Sequence, residues 1–105
     1  MKKRVWIGLV GVTPQLGAKK VLSAAAKGAF VNALAYAADE AEYKSAVERA
    51  LGGLGLTACD FEDVETFSER TSKWEVDEVL RDLADEVGAT GAVRFGTFHN
   101  YTDVE

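Results

Sequence analysis

Five carboxylates crowd one stretch of ten residues in this chain. They are Asp60, Glu62, Asp63, Glu65 and Glu69. Paired carboxylates can serve as general acid and general base, but that chemistry requires unequal environments inside a cleft, which the sequence does not indicate. Acidic side chains on an edge strand also prevent one sheet from pairing with another. The third interpretation is an acidic face that binds a basic partner through electrostatic complementarity.

One histidine and one cysteine are the other candidates for catalysis. A catalytic histidine needs a nucleophile or an orienting carboxylate within reach, and Asp103 lies near His99 in sequence without fixing such a geometry. Cys59 has no basic neighbour in sequence to activate its thiol, and one Cys with one His falls short of an ordinary zinc site. We therefore predict no catalytic residue, no metal and no cofactor. A single thiol also makes a reducing cytoplasm the expected location.

An alternative ligand pocket would use polar and aromatic side chains on one face of the predicted sheet. Its candidate residues are Tyr36, Arg94, His99, Asn100 and Tyr101. Such a pocket would suit a small-molecule binder or an enzyme that assembles as a homo-oligomer.

The segment 13–27 is predicted to be a mobile basic loop or a short helix. It follows a strand, as a phosphate-binding loop does, but its glycine spacing is one residue too long and no Ser or Thr follows the lysines. Lys19, Lys20 and Lys27 could still contact an anion electrostatically.

Positive and negative charge are segregated along the chain. Residues 1–38 carry six Lys or Arg and no acid, whereas residues 39–105 carry six Lys or Arg and all seventeen acids. The net charge of −5 argues against a general nucleic-acid binder. Nucleic-acid association through the basic first third is the least supported hypothesis, because no predicted strand interleaves Lys or Arg with aromatic residues.

Membrane contact is not expected, since no apolar run approaches the roughly 18–20 residues that span a bilayer. The first twelve residues imitate a signal peptide, because three basic residues precede an apolar run. Trp6, Gly8 and Gly11 interrupt that run and no clear cleavage site follows, which favours a buried strand.

Hydrophobic periodicity predicts four strands and two helices. The strands are expected at residues 4–12, 28–37, 56–67 and 91–101, the third with a bulge or tight turn in its acidic part. The first helix begins at Asp39, which forms a capping box with Glu42. The second begins near Ser72, because Ser72 and Glu75 repeat that spacing, and Gly88 is a plausible end.

These elements make one α+β domain over residues 1–105, in the order β-β-α-β-α-β. Right-handed crossovers would place both helices on one face of a four-stranded mixed sheet. The expected fold is therefore a two-layer sandwich, a variant of the ferredoxin-like fold. The segment 13–27 or a second copy of the chain would cover the other face.

We expect a small non-enzymatic protein-interaction domain. Its acidic face would bind a basic protein, as an inhibitor or immunity-type protein of a bacterial cytoplasm would. The homo-oligomeric pocket and the nucleic-acid hypothesis stay open as alternatives, and a homodimer is compatible with the first two.

Overall fold

The computed structural model describes residues 2–14, 28–96 and 99–101, with side chains over 2–13 and 28–96. The prediction for the basic segment 13–27 therefore lies almost wholly outside the described residues, and so do Lys19, Lys20 and Lys27.

The described strands form one sheet in which each pairing is antiparallel. They are β1 (Arg4–Pro14), β2 (Gly28–Ala37), β3 (Leu56–Thr66), β4 (Arg94–Phe95) and β5 (His99–Tyr101). The strand order is β3-β1-β2-β4, and β5 also pairs with β2. The α+β class is confirmed, but the mixed sheet and the ferredoxin-like topology are wrong.

Three helices accompany the sheet where two were expected. They are α1 (Glu40–Gly53), α2 (Phe67–Lys73) and α3 (Glu78–Thr90). The predicted cap of α1 is confirmed: Asp39 Oδ1 accepts a hydrogen bond from the Glu42 backbone N–H at 2.8 Å. The Glu42 carboxylate reaches back one residue further than expected and accepts from the Ala38 N–H at 2.6 Å.

The predicted start of the second helix at Ser72 is wrong. Thr66 and Glu69 form a capping box that begins an additional helix, α2, and the predicted helix corresponds to α3, which ends at Thr90 rather than at Gly88. The Ser72 hydroxyl instead donates to the Glu69 carbonyl inside α2, at 2.8 Å. A second cap begins α3, where Asp77 Oδ1 accepts from the Leu80 N–H at 3.0 Å.

Helix α1 covers the face of β2 that carries small side chains. The buried residues on this face are Val10, Val12, Ala29, Val31, Ala33, Ala35, Ala37, Tyr43, Val47, Leu51 and Leu56. Close packing is most evident at Gly8, where an added Cβ would lie 2.8 Å from the Tyr43 hydroxyl and 2.9 Å from Val64. That hydroxyl donates to the Ala33 carbonyl at 2.8 Å, so the buried tyrosine fastens α1 to the sheet.

Helices α2 and α3 cover the opposite face. Ile7 and Leu34 are buried there with Ala84 and Val87 of α3, and Phe67 of α2 packs against them. The predicted two-layer sandwich with both helices on one face is therefore wrong. The handedness rule concerns parallel strands, whereas β4 is antiparallel to β2 and hence to β3. Because β1 and β2 are apolar on both faces, the chain covers each face with helix.

Candidate functional site

Strand β3 is an edge strand of the described sheet, and it is irregular where the sequence predicted irregularity. Asp63 and Val64 together oppose the single residue Gly8 of β1, which is a bulge in the register. Asp63 takes a positive φ of 53° there. A second shift in register leaves Cys59, an exposed free thiol, without a direct partner in β1.

Three of the five predicted acidic residues lie together on this edge: Asp60, Glu62 and Asp63, all exposed. We call them the acidic edge. The pKa of Glu62 is raised, first because a hydrogen bond to Asp60 favours its protonated form and then because the charges of Asp60 and Asp63 repel its ionised form. Among the described residues, no Lys or Arg forms an ion pair with these carboxylates. The acidic edge is therefore a concentrated negative charge.

Glu65 differs, because the chain itself supplies its cations. Its carboxylate oxygens form ion pairs with Arg70 Nε at 2.5 Å and with Lys73 Nζ at 2.6 Å. The Glu65 side chain is only 13% exposed. Hydrogen bonds from Lys73 and then Arg70 hold the pKa of Glu65 below its usual range. Arg70 also donates to the Asp63 carbonyl at 2.9 Å, so these contacts fasten α2 to β3.

Glu69 is occupied by the cap of α2. Its carboxylate accepts from the Thr66 N–H and the Thr66 hydroxyl, both at 2.9 Å. These hydrogen bonds lower the pKa of Glu69, the one from the backbone first. The predicted acidic group thus divides into the acidic edge, which faces solvent, and Glu65 and Glu69, which stabilise the fold.

The residues of the alternative aromatic pocket are spread over the sheet. Arg94 forms an ion pair with Glu86 of α3, while Tyr36 is 38% exposed near the end of β2. Strand β5, which carries His99, Asn100 and Tyr101, pairs with residues 28–30 at the other end of β2, and its side chains lie outside the described residues. Tyr36 lies six positions along β2 from Phe30, which is about 20 Å of strand.

A cleft that the sequence did not reveal opens beside the acidic edge, between the sheet and the connection from α2 to α3. Its volume is about 680 Å³. Leu9, Val76 and Leu80 supply its apolar lining, and Trp74 and Asp63 contribute to its walls. The helix predicted from Ser72 would include Trp74, but Trp74 is the residue that follows α2 and its side chain is 65% exposed. The caps at Thr66 and Asp77 were the signal that could have placed Trp74 in a connection.

Comparisons with family models, curated proteins and solved structures find no match for this chain. Within the described residues, no group of three or more His, Cys, Asp or Glu side chains is placed to hold a metal ion. None of the described helices combines the length and apolar character needed to cross a bilayer.

Proposed function

We propose that this chain is a non-enzymatic protein-interaction domain that binds a basic protein through the acidic edge. The observation that carries the proposal is the contrast between the acidic residues of β3. Glu65 and Glu69 are engaged within the chain, whereas Asp60, Glu62 and Asp63 are exposed and repel one another. A cationic partner would relieve that repulsion, so the relief would contribute to the free energy of binding.

The position of the acidic edge supports a macromolecular partner. In the described sheet, no strand pairs with the outer side of β3, so no described strand separates the acidic edge from a partner. The two bulges and the acidic side chains disfavour regular pairing with a second sheet, which leaves side-chain contacts as the mode of binding. An inhibitor or immunity-type protein of the cytoplasm, which masks a basic surface, is the specific form that we propose.

The test is affinity capture from lysate with two variants of matched charge. The edge variant combines Asp60→Lys and Glu62→Lys with Asp63→Asn, because asparagine tolerates the positive φ at that position. The control variant combines Glu48→Lys and Asp82→Lys with Asp85→Asn, at exposed sites on α1 and α3. Both variants change the net charge by the same amount, so a difference in what they capture depends on where the charges lie on the surface.

We expect a basic protein that wild type and the control variant both retain at low salt and that the edge variant loses. A capture profile that is the same for all three proteins would contradict the proposal. Recovery of the chain alone would favour the homo-oligomeric alternative instead, and recovery of nucleic acid would favour the third hypothesis.

A further inference from the structure

We propose that the cleft between β3, α2 and α3 receives an arginine side chain of the basic partner. This inference rests on the proposed function, since it names the group that the partner inserts beside the acidic edge. Three features of the cleft lead to it: an apolar lining, an exposed indole and an excess of negative charge.

The apolar lining suits the aliphatic part of a long side chain. Leu9 lies on β1, Val76 on the connection from α2 to α3 and Leu80 on α3, so three parts of the chain contribute apolar surface. Arginine buries its methylene groups against such surface while its guanidinium stays near solvent.

Trp74 supplies the ring on which a guanidinium can stack. Its side chain is 65% exposed, which is unusual for so large an apolar group and is typical of a residue that becomes buried on binding. The backbone that carries the ring is held in place, because the Trp74 backbone N–H donates to the Arg70 carbonyl at 2.9 Å and Arg81 Nε donates to the Val76 carbonyl at 3.1 Å. Arginine stacks on such a ring better than lysine because its cation is planar and weakly hydrated.

The charges of the walls favour a cation over an anion. The acidic side chains that line the cleft are Asp63, Glu65, Glu75 and Asp77, against two cations, Arg70 and Lys73. Both cations are paired with Glu65, and the three other carboxylates outnumber the one positive charge that this pairing leaves. Asp63 belongs both to the cleft and to the acidic edge, so one partner surface can contact the two together.

The probe is N-acetyl-arginine amide, added to the isotope-labelled chain in an NMR titration. N-acetyl-citrulline amide is the control, because its side chain has nearly the same shape and no charge. We expect saturable shifts at the Trp74 indole N–H and the Leu80 methyl groups with the arginine probe. The citrulline probe is expected to bind about threefold more weakly, as the loss of a cation–π contact on an exposed ring implies.

Two variants locate the effect. Trp74→Leu keeps the wall apolar and is expected to abolish the preference for the arginine probe over the citrulline probe, as measured at the Leu80 methyl groups. Glu75→Gln is expected to reduce that preference. Glu48→Gln on the exposed face of α1 makes the same change of charge elsewhere and is expected to leave the preference intact. Equal binding of both probes, no saturable shift, or tighter binding of N-acetyl-glutamate amide would each overturn the inference.

The two proposals can fail separately. Binding of the arginine probe without capture of a basic protein would refute the interaction function and retain an arginine-selective cleft. Capture that depends on the acidic edge, with no shift at Trp74, would refute the cleft alone.

Discussion

Tyr43 makes the hydrogen bond that joins α1 to the sheet, and it does so inside the core. Its side chain is fully buried and its hydroxyl donates to the Ala33 carbonyl at 2.8 Å. Tyr43→Phe should lower the free energy of unfolding by about 1 kcal/mol, since it removes one buried hydrogen bond and leaves the ring in place. Urea unfolding measures this loss. Tyr36→Phe, at an exposed tyrosine, should change stability by less than half as much.

Burial of Tyr43 also predicts a dependence of stability on alkaline pH. Burial raises the pKa of Tyr43 well above its usual range, so the folded state retains a proton that the unfolded state loses near pH 10. The stabilisation is present below that pH and is lost as pH rises beyond it. Thermal unfolding should show a declining Tm above about pH 10, with a shallower decline in Tyr43→Phe. If Tm declined equally in wild type and Tyr43→Phe, the alkaline destabilisation would come from other groups.

Glu65 illustrates a carboxylate that stabilises the fold rather than binding a partner. Glu65→Gln should lower the free energy of unfolding by about 1–2 kcal/mol at neutral pH, because Arg70 loses its charged partner. Since the pKa of Glu65 is lowered in the folded state, this difference should shrink as pH falls below about 4. Urea unfolding across that pH range measures it. Glu48→Gln is the matched control, and a similar loss there would contradict the assignment.

At the residue scale, sequence reasoning identified the acidic cluster but could not assign roles within it. Asp60, Glu62, Asp63, Glu65 and Glu69 are the same two residue types within ten positions, and spacing does not show which of them meets a cation. The division depends on Arg70 and Lys73, which α2 brings back against β3. Predicting these contacts from the sequence would have required knowing where α2 begins.

At the scale of elements, the capping box at Thr66 determines where β3 ends and α2 begins. Thr66→Ala should lower the free energy of unfolding by about 1 kcal/mol, because the side chain that accepts from the Glu69 N–H is removed. Thr66→Ser keeps the capping hydroxyl and should retain most of the stability. Ser72→Ala, at the cap that the sequence predicted, should have a smaller effect than Thr66→Ala. Thermal unfolding of the three variants compares them, and a larger loss at Ser72 would contradict this assignment of caps.

Element prediction succeeded where pattern and cap agreed. The stripe of Tyr43, Val47 and Leu51 placed α1 correctly, since Asp39 offered one clear cap before it. Thr66 with Glu69 has the same spacing as Ser72 with Glu75, from which the second helix was predicted. The pattern alone cannot rank them, because the choice depends on the contacts of α2 with the sheet.

At the scale of the whole molecule, the sequence predicted the α+β class but not the placement of the helices. The apolar residues on both faces of β1 and β2 already required two covered faces. The rule for parallel crossovers applies to β2-α1-β3, because β2 and β3 are both antiparallel to β1 between them, and the error came from applying it also to the connection from β3 to β4, which are antiparallel to each other. The cleft was missed for the same reason, because it forms on the face that α2 and α3 cover in the described part of the chain.

The most direct test of the account is the association rate of the captured basic protein, measured against ionic strength. We predict that the edge variant slows association at least about tenfold at low salt, that high salt removes most of the difference, and that the control variant changes the rate much less. Equal slowing by both variants would show that net charge alone governs binding and would contradict a role for Asp60, Glu62 and Asp63 as a specific surface.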